Sequence, residues 1–262
     1  MGYEIRSEWT KVGKLDIRYI TGGHGEPLVV IHGGGDGANS WLGNVAELSK
    51  RYTIYLPDLP GFGHSQSISD SVQLSEFVDF VDEFTNSLGL ERFNLAGHSL
   101  GGGIALQYAL KFPGKITRLV LISSMCLGKE IALWARVLSS SAFCRSFGEA
   151  VVAILKGTWS MVKFFYSPFQ MANPVSRTRL SIGKNIMTLE GQTTVLQDEL
   201  CGLTMPTLLV WGANDGIVPV SHAYTAAQLI PDCHLKVFEG CGHSVYREKL
   251  AEFCQVLSRF LG

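Results

Sequence analysis

Three residues far apart in this chain, Ser99, Asp215 and His243, are the types that together make a serine nucleophile. A serine hydroxyl attacks poorly until a base takes its proton. An imidazole, which ordinarily titrates near ~6.5, can take it at neutral pH. A carboxylate on the other ring nitrogen fixes the tautomer and stabilises the imidazolium. The chemistry expected of such a set is attack on a carbonyl carbon, an acyl intermediate on the serine, and its release by water.

Spacing gives each residue its place. Ser99 lies in Gly97-His98-Ser99-Leu100-Gly101, with the apolar run Phe93–Ala96 before it and a helical pattern from Ile104 to Leu110 after it. Strand, sharp turn and helix in that order is the setting a G-x-S-x-G nucleophile requires. The turn forces the serine into a strained backbone, and glycines two residues away on either side leave room for it. Asp215 follows the apolar run Thr207–Trp211, and His243 follows the run His234–Phe238 in a glycine-rich loop. Taken singly, each has a plainer reading: a serine in a glycine turn, an aspartate capping a turn, an exposed loop histidine. The chain order serine, acid, histidine, with each at a strand end, favours the triad. The strand before Asp215's ends in Ile122-Ser123-Ser124, without a carboxylate, so Asp215 is preferred as the acid; Asp36 and Asp58 are read as structural. An oxyanion needs two N–H donors. Leu100, next after the nucleophile, and Gly34, in His32-Gly33-Gly34-Gly35, are the candidates. That glycine loop lacks the Gly-Lys-Ser/Thr ending of a phosphate loop. His32 and His98 are read as loop-packing residues; His24, His64, His222 and His234 receive no role.

The elements that must position these residues alternate. Residues 3–12 and 14–21 read as an antiparallel edge hairpin turning at Gly13. Strands are expected over 27–31, 52–56, 93–96, 116–122, 207–211 and 234–238, and helices over 41–50 (capped by Ser40), 74–88, 221–229 and 247–261. Strands alternating with helices give parallel βαβ units, whose C-terminal strand ends gather at one sheet edge. Between 125 and 205 the alternation breaks into helical periodicities without a convincing strand. The expected organisation is therefore an α/β core formed by 1–124 and 206–262, with a helical cap, 125–205, inserted after the sixth strand.

Composition narrows the field. With 22 basic and 23 acidic residues, the chain has a net charge of −1, which offers no electrostatic footprint for nucleic acid. Six cysteines show no metal spacing and no Cys-x-x-Cys pair. They read as free thiols, mostly buried, in a reducing compartment. The N-terminal residues lack the apolar core of a signal peptide, and no run approaches the length of a membrane span. The expectation is a cytoplasmic monomer or homodimer acting on a small molecule without metal or cofactor.

By His32-Gly33-Gly34-Gly35, Asp58-Leu59-Pro60-Gly61-Phe62-Gly63-His64-Ser65, Gly97-His98-Ser99-Leu100-Gly101-Gly102, Asn214-Asp215-Gly216-Ile217-Val218-Pro219 and Cys241-Gly242-His243, the sequence resembles the α/β-hydrolase superfamily over nearly its whole length. The resemblance implies a mostly parallel sheet with helices on both faces, and a helical cap. Ser99 separates the chain from relatives whose nucleophile is aspartate. The 32–38 and 126–131 segments also resemble hydrolases that cleave C–C bonds in meta-cleavage products. Those enzymes usually carry Asn where this chain has His98, Trp where it has Ser244, and Pro where it has Asp36. Ester hydrolysis is therefore the first reading and C–C hydrolysis the second. A small-ligand receptor on the same fold is the rival from another class. In the cap, Trp134, Phe143, Phe147, Trp159, Phe164, Phe165, Tyr166 and Phe169 suit an apolar pocket wall or a cap core. Five basic side chains there outnumber two acidic ones between 125 and 170. Arg145, Arg177 and Arg179 are the candidates for holding a substrate carboxylate.

Overall fold

The computed structural model describes residues 4–35, 37–67, 73–139 and 185–262. Eight strands are β1 (Arg6–Val12), β2 (Leu15–Gly22), β3 (Pro27–Ile31), β4 (Thr53–Pro57), β5 (Phe93–His98), β6 (Ile116–Ile122), β9 (Thr207–Gly212) and β10 (Cys233–Phe238). They form one sheet in the order β1-β2-β4-β3-β5-β6-β9-β10. β1–β2 and β2–β4 pair antiparallel, and every other pair is parallel. The mostly parallel sheet is the one expected from the alternation, and its architecture is the α/β-hydrolase fold that the motif resemblance implies.

The central strands read as continuous apolar runs because both their faces are covered. In β3, Val29 and Ile31 join one apolar cluster, while Leu28 and Val30 join the other. In β9, Leu209 and Trp211 face the first, Leu208 and Val210 the second. The first cluster is closed by α2 (Leu74–Ser87), α3 (Leu100–Lys111) and α5 (Ser221–Leu229); the second by α1 (Leu42–Leu48), α6 (Val245–Glu248) and α7 (Leu250–Leu261).

Several boundaries differ from the sequence expectation. α1 is shorter than 41–50, and Ser40 does not cap it. The Ser40 hydroxyl instead donates to the Gly37 carbonyl at 2.8 Å within a short 3-10 turn, Ala38–Trp41. Tyr52 lies before β4 rather than in it. It is buried because its ring tucks under the C-terminal helix, where its hydroxyl donates to the Gly262 carbonyl at 3.1 Å. The expected helix 247–261 is two helices. Lys249, at φ −129° and ψ 48°, breaks the path between them.

Of the segment 125–205, the two ends are described. α4 (Leu133–Ser139) begins the outgoing side. The returning side contains a small antiparallel ladder that the sequence did not suggest, β7 (Met187–Thr188) with β8 (Gly191–Gln192). Cys126, Leu127 and Ile131 on the way out, and Leu196, Leu200, Leu203 and Met205 on the way back, are buried in the same cluster as α3. Gln192, itself buried, stitches the two ends together: its amide oxygen accepts the Cys126 N–H at 2.8 Å, and its amide nitrogen donates to the Gly128 carbonyl at 2.8 Å. The aromatic and arginine candidates of the cap, apart from Trp134, lie outside the described residues. Cys126, Cys241 and Cys254 are buried, Cys233 is half-buried and Cys201 exposed, all unbridged. Among the described residues no helix is long and apolar enough to cross a membrane.

Candidate active site

Ser99 sits between β5 and α3 at φ 54° and ψ −116°, a left-handed backbone that a residue with a Cβ adopts only under strain. The strain is held by packing. The Ser99 N–H donates to the Ile122 carbonyl at 2.9 Å, and its own carbonyl accepts the N–H groups of Met125 and Gly103. The two flanking glycines are obligatory on steric grounds. A Cβ on Gly97 would meet the Gly101 carbonyl oxygen at 2.2 Å, and one on Gly101 would meet the Ile31 oxygen at 2.3 Å. Ser99 keeps part of its surface open, and α3 starts at the next residue. The Leu100 amide is therefore in the first turn, where N–H groups lack intrahelical partners.

Asp215 follows β9 and His243 follows β10, and the parallel pairing of these strands brings the two loops together. The His243 Nδ1 lies 2.8 Å from Asp215 Oδ2 and 3.1 Å from Oδ1. The carboxylate is fully enclosed, and Oδ1 also accepts the N–H groups of Ile217 and Val218 at 2.9 and 3.0 Å. Burial pushes the Asp215 carboxyl up. The His243 hydrogen bond and charge, with the two amides, outweigh it and hold the carboxyl below its ordinary value. An ionised carboxylate only accepts, so His243 donates through Nδ1 and its Nε2 carries the free lone pair. The hydrogen bonds of the His243 side chain and carbonyl run to Asp215 and His98; none joins Ser99 among the described residues. In unliganded sites such bonds commonly tighten only with substrate in place.

The glycine loop after β3 lies against Ser99. A Cβ on Gly33 would come within 3.3 Å of the Ser99 Cβ, whereas one on Gly34 would meet no atom of the described residues within 4 Å. His32 keeps the loop in place: its Nδ1 bonds the Gly33 carbonyl at 2.6 Å and its Nε2 accepts the Leu59 N–H at 3.0 Å. Asp58 is structural, as expected. Its enclosed carboxylate accepts the Ala38 N–H at 2.7 Å, the His64 N–H at 3.1 Å and Arg18 Nη1 at 3.0 Å. Asp36 lies outside the described residues.

Two residues given no role by the sequence touch the histidine loop. His98, read there as loop packing, places its ring 4.8 Å from that of His243. Burial, and then the His243 ring, pushes its imidazole down to about 3. Glu248 accepts two backbone amides of the loop, those of Gly242 and Ser244. The sequence signals for His98 were its place at the end of β5 and its standing where related C–C hydrolases carry Asn; Glu248 had none. Cys126 is no competing nucleophile, because burial pushes its thiol up to about 12. Among the described residues no group of three or more His, Cys, Asp and Glu side chains is placed to hold a metal ion.

Residues 26–250 match the family model described as the alpha/beta hydrolase fold. The 2-hydroxymuconate semialdehyde hydrolase of Pseudomonas sp. strain CF600 is 31% identical over 257 residues, covering 91% of this chain and 88% of that protein. A membrane phospholipase A described as a bacterial virulence factor superposes with a TM-score of 0.76 at 27% identity, covering 98% of this chain and 86% of its own. A thermophilic esterase from Thermogutta terrifontis superposes with a TM-score of 0.76 at 23% identity over 98% of both chains, a likeness of fold alone. A match over residues 26–250, together with the glycine-flanked turn at Ser99, makes this chain a member of the α/β hydrolase fold family.

Proposed function

We propose that the protein is a serine hydrolase that cleaves a small, mainly apolar carboxylic ester through an acyl-enzyme. The observation that carries this reading is the enclosed His243–Asp215 pair at the same sheet edge as the strained, part-exposed Ser99. In this mechanism Ser99 Oγ attacks the ester carbonyl carbon and its proton passes to His243 Nε2. The N–H groups of Gly34 and Leu100 hold the oxyanion. The leaving alcohol departs with that proton, leaving an acyl-Ser99. Water then attacks the acyl carbon, gives a proton to His243, and Ser99 recovers its own as the carboxylic acid leaves. Asp215 keeps His243 in the required tautomer throughout. These steps call on no cofactor. In this reading the inserted segment 125–205 supplies a cap, and the apolar residues of its sequence select the substrate.

A second reading is favoured by one specific finding, the 31% identity to a 2-hydroxymuconate semialdehyde hydrolase. C–C cleavage asks more of the site: the dienol must become the keto form before attack, and its carboxylate must be held. Ester cleavage asks only for the triad, the two amides and an acyl pocket. Measuring kcat/KM for p-nitrophenyl acetate and butyrate beside a 2-hydroxy-6-keto-dienoate decides between them. Ester turnover is expected to be the greater. A tenfold preference for the dienoate, ~1.4 kcal/mol of transition-state binding, would replace the ester assignment. A single slow turnover with the ligand retained would place the chain with receptors instead.

A further inference from the structure

The loop that carries His243 is gripped at every residue. The Cys241 carbonyl accepts the Asn214 N–H at 2.9 Å, which ties it to the loop of the acid. The Gly242 N–H donates to Glu248 Oε2 at 2.8 Å and the Ser244 N–H donates to Glu248 Oε1 at 3.1 Å. One carboxylate therefore holds the amides on either side of the histidine. Between them, the His243 carbonyl lies 3.0 Å from His98 Nε2. A carbonyl only accepts, so His98 must carry its proton on Nε2. The other nitrogen, Nδ1, is then a bare lone pair, buried and without a hydrogen-bond partner among the described residues. It faces the glycine loop: a Cβ on Gly33 would come within 2.8 Å of it. The ring is wedged at a tilt between His243 and Tyr246, with centroids 4.8 Å away in each case.

This arrangement is costly for a residue that merely fills space. A buried imidazole nitrogen left unpaired forfeits its hydration. A phenyl or isobutyl side chain would fill the wedge between Gly33, His243 and Tyr246 without that penalty. What the imidazole adds is one N–H aimed at the backbone of His243. We propose that His98 and Glu248 are positioning residues for the hydrolysis: they clamp the His243 backbone from opposite sides so that the ring meets Ser99 at a fixed angle. This inference rests on the serine-hydrolase reading. Neither residue touches the substrate; each acts through His243. Catalysis needs the base held to within a fraction of an ångström, and small displacements cost large factors in rate.

The test separates the donor from the bulk. His98→Phe keeps the ring and removes the N–H; His98→Gln returns an N–H near the position of Nε2. Glu248→Ala removes both loop acceptors, and Glu248→Gln keeps one. With p-nitrophenyl butyrate, His98→Phe and Glu248→Ala are each expected to lower kcat tenfold or more, with KM changed less than twofold. His98→Gln should recover most of the loss, and Glu248→Gln, which accepts from only one of the two amides, part of it. The low-field proton of the His243–Asp215 hydrogen bond, observed by NMR in 15N-histidine-labelled protein, should broaden or shift in the damaging variants. That signal does not depend on turnover, so it reports on the clamp even if the wild type hydrolyses no ester. If His98→Phe does not fold, Glu248→Ala, whose side chain is at the surface, carries the same readouts. Unchanged kcat and an unchanged low-field signal in Glu248→Ala, or no advantage of Gln over Phe at position 98, would overturn the clamp.

Discussion

Trp134 donates its indole N–H to the Gly216 carbonyl at 3.3 Å, one residue from Asp215. Beside it, the Ala132 N–H donates to the Ile217 carbonyl at 2.9 Å. The N–H groups of Ile217 and Val218 go to Asp215 itself. The acid loop is thus shared: its amides face the carboxylate and its carbonyls face the stem of the inserted segment. Trp134→Phe removes one donor and keeps an aromatic ring. A hydrogen bond is worth roughly 1 kcal/mol, so kcat should fall about fivefold. Steady-state kinetics with p-nitrophenyl butyrate check this. A change in KM alone would mean that the indole serves only the pocket wall.

Asp215→Asn and Asp58→Asn should fail in opposite ways. Asparagine at 215 disturbs the His243 tautomer, and kcat should drop on the order of 10⁴-fold in a protein that still folds. Asparagine at 58 leaves Arg18 facing a neutral group in an enclosed site, which costs about 3–5 kcal/mol of stability. Its folded fraction should keep most of its kcat. Chemical unfolding and kinetics on the same preparations separate the two, and the reverse ranking would move the acid elsewhere.

Ser99 offers a test of strain. Ser99→Ala and Ser99→Gly should both lose turnover, on the order of 10⁴-fold or more, and neither should take up a fluorophosphonate. They should differ in stability. Alanine keeps the Cβ at φ 54°, whereas glycine relieves it, so the glycine variant should be the more stable by about 1 kcal/mol. Equal stabilities would mean that the turn is not strained.

Acid should loosen the fold through His98. Its folded imidazole titrates near 3, while an unfolded imidazole takes a proton below ~6.5. The unfolded chain therefore binds the extra proton between those values. The stability contributed is complete above ~6.5 and falls by about 1.4 kcal/mol per pH unit as the pH drops towards 3. Urea unfolding of the wild type and His98→Gln at pH 7, 6 and 5 reads this directly: the variant's stability should fall less steeply, by about half a proton between pH 7 and 6 and by close to one between pH 6 and 5. Parallel slopes would mean that His98 is not the acid-sensitive group.

Ser99, Asp215 and His243 could be singled out because they stand at the ends of apolar runs in a fixed order, and such runs are local. The strands 27–31 and 116–122 and the helix 221–229 were found to the residue for the same reason. The break at Lys249 was hidden because Tyr246 before it and Leu250, Phe253, Cys254, Leu257 and Leu261 after it keep helical spacing along one apolar face. The contact of His98 with His243 joins residues 145 apart in the chain. No spacing rule reaches that far. The Glu248 clamp is short-range, but it reaches backward across an irregular turn, so helical periodicity does not announce it.

Gln192 closes a ring of chain. Its amide meets Cys126, 66 residues away in sequence, at the point where the main sheet releases the polypeptide and takes it back. The core thus fixes the separation of the two ends, whatever runs between them. Lengthening a tethered loop costs little, about 0.6 kcal/mol for each doubling. The stitched base is therefore a socket: segments of different length and composition can be exchanged above it while the catalytic sheet keeps its register, so one hydrolytic core can be refitted to new substrates.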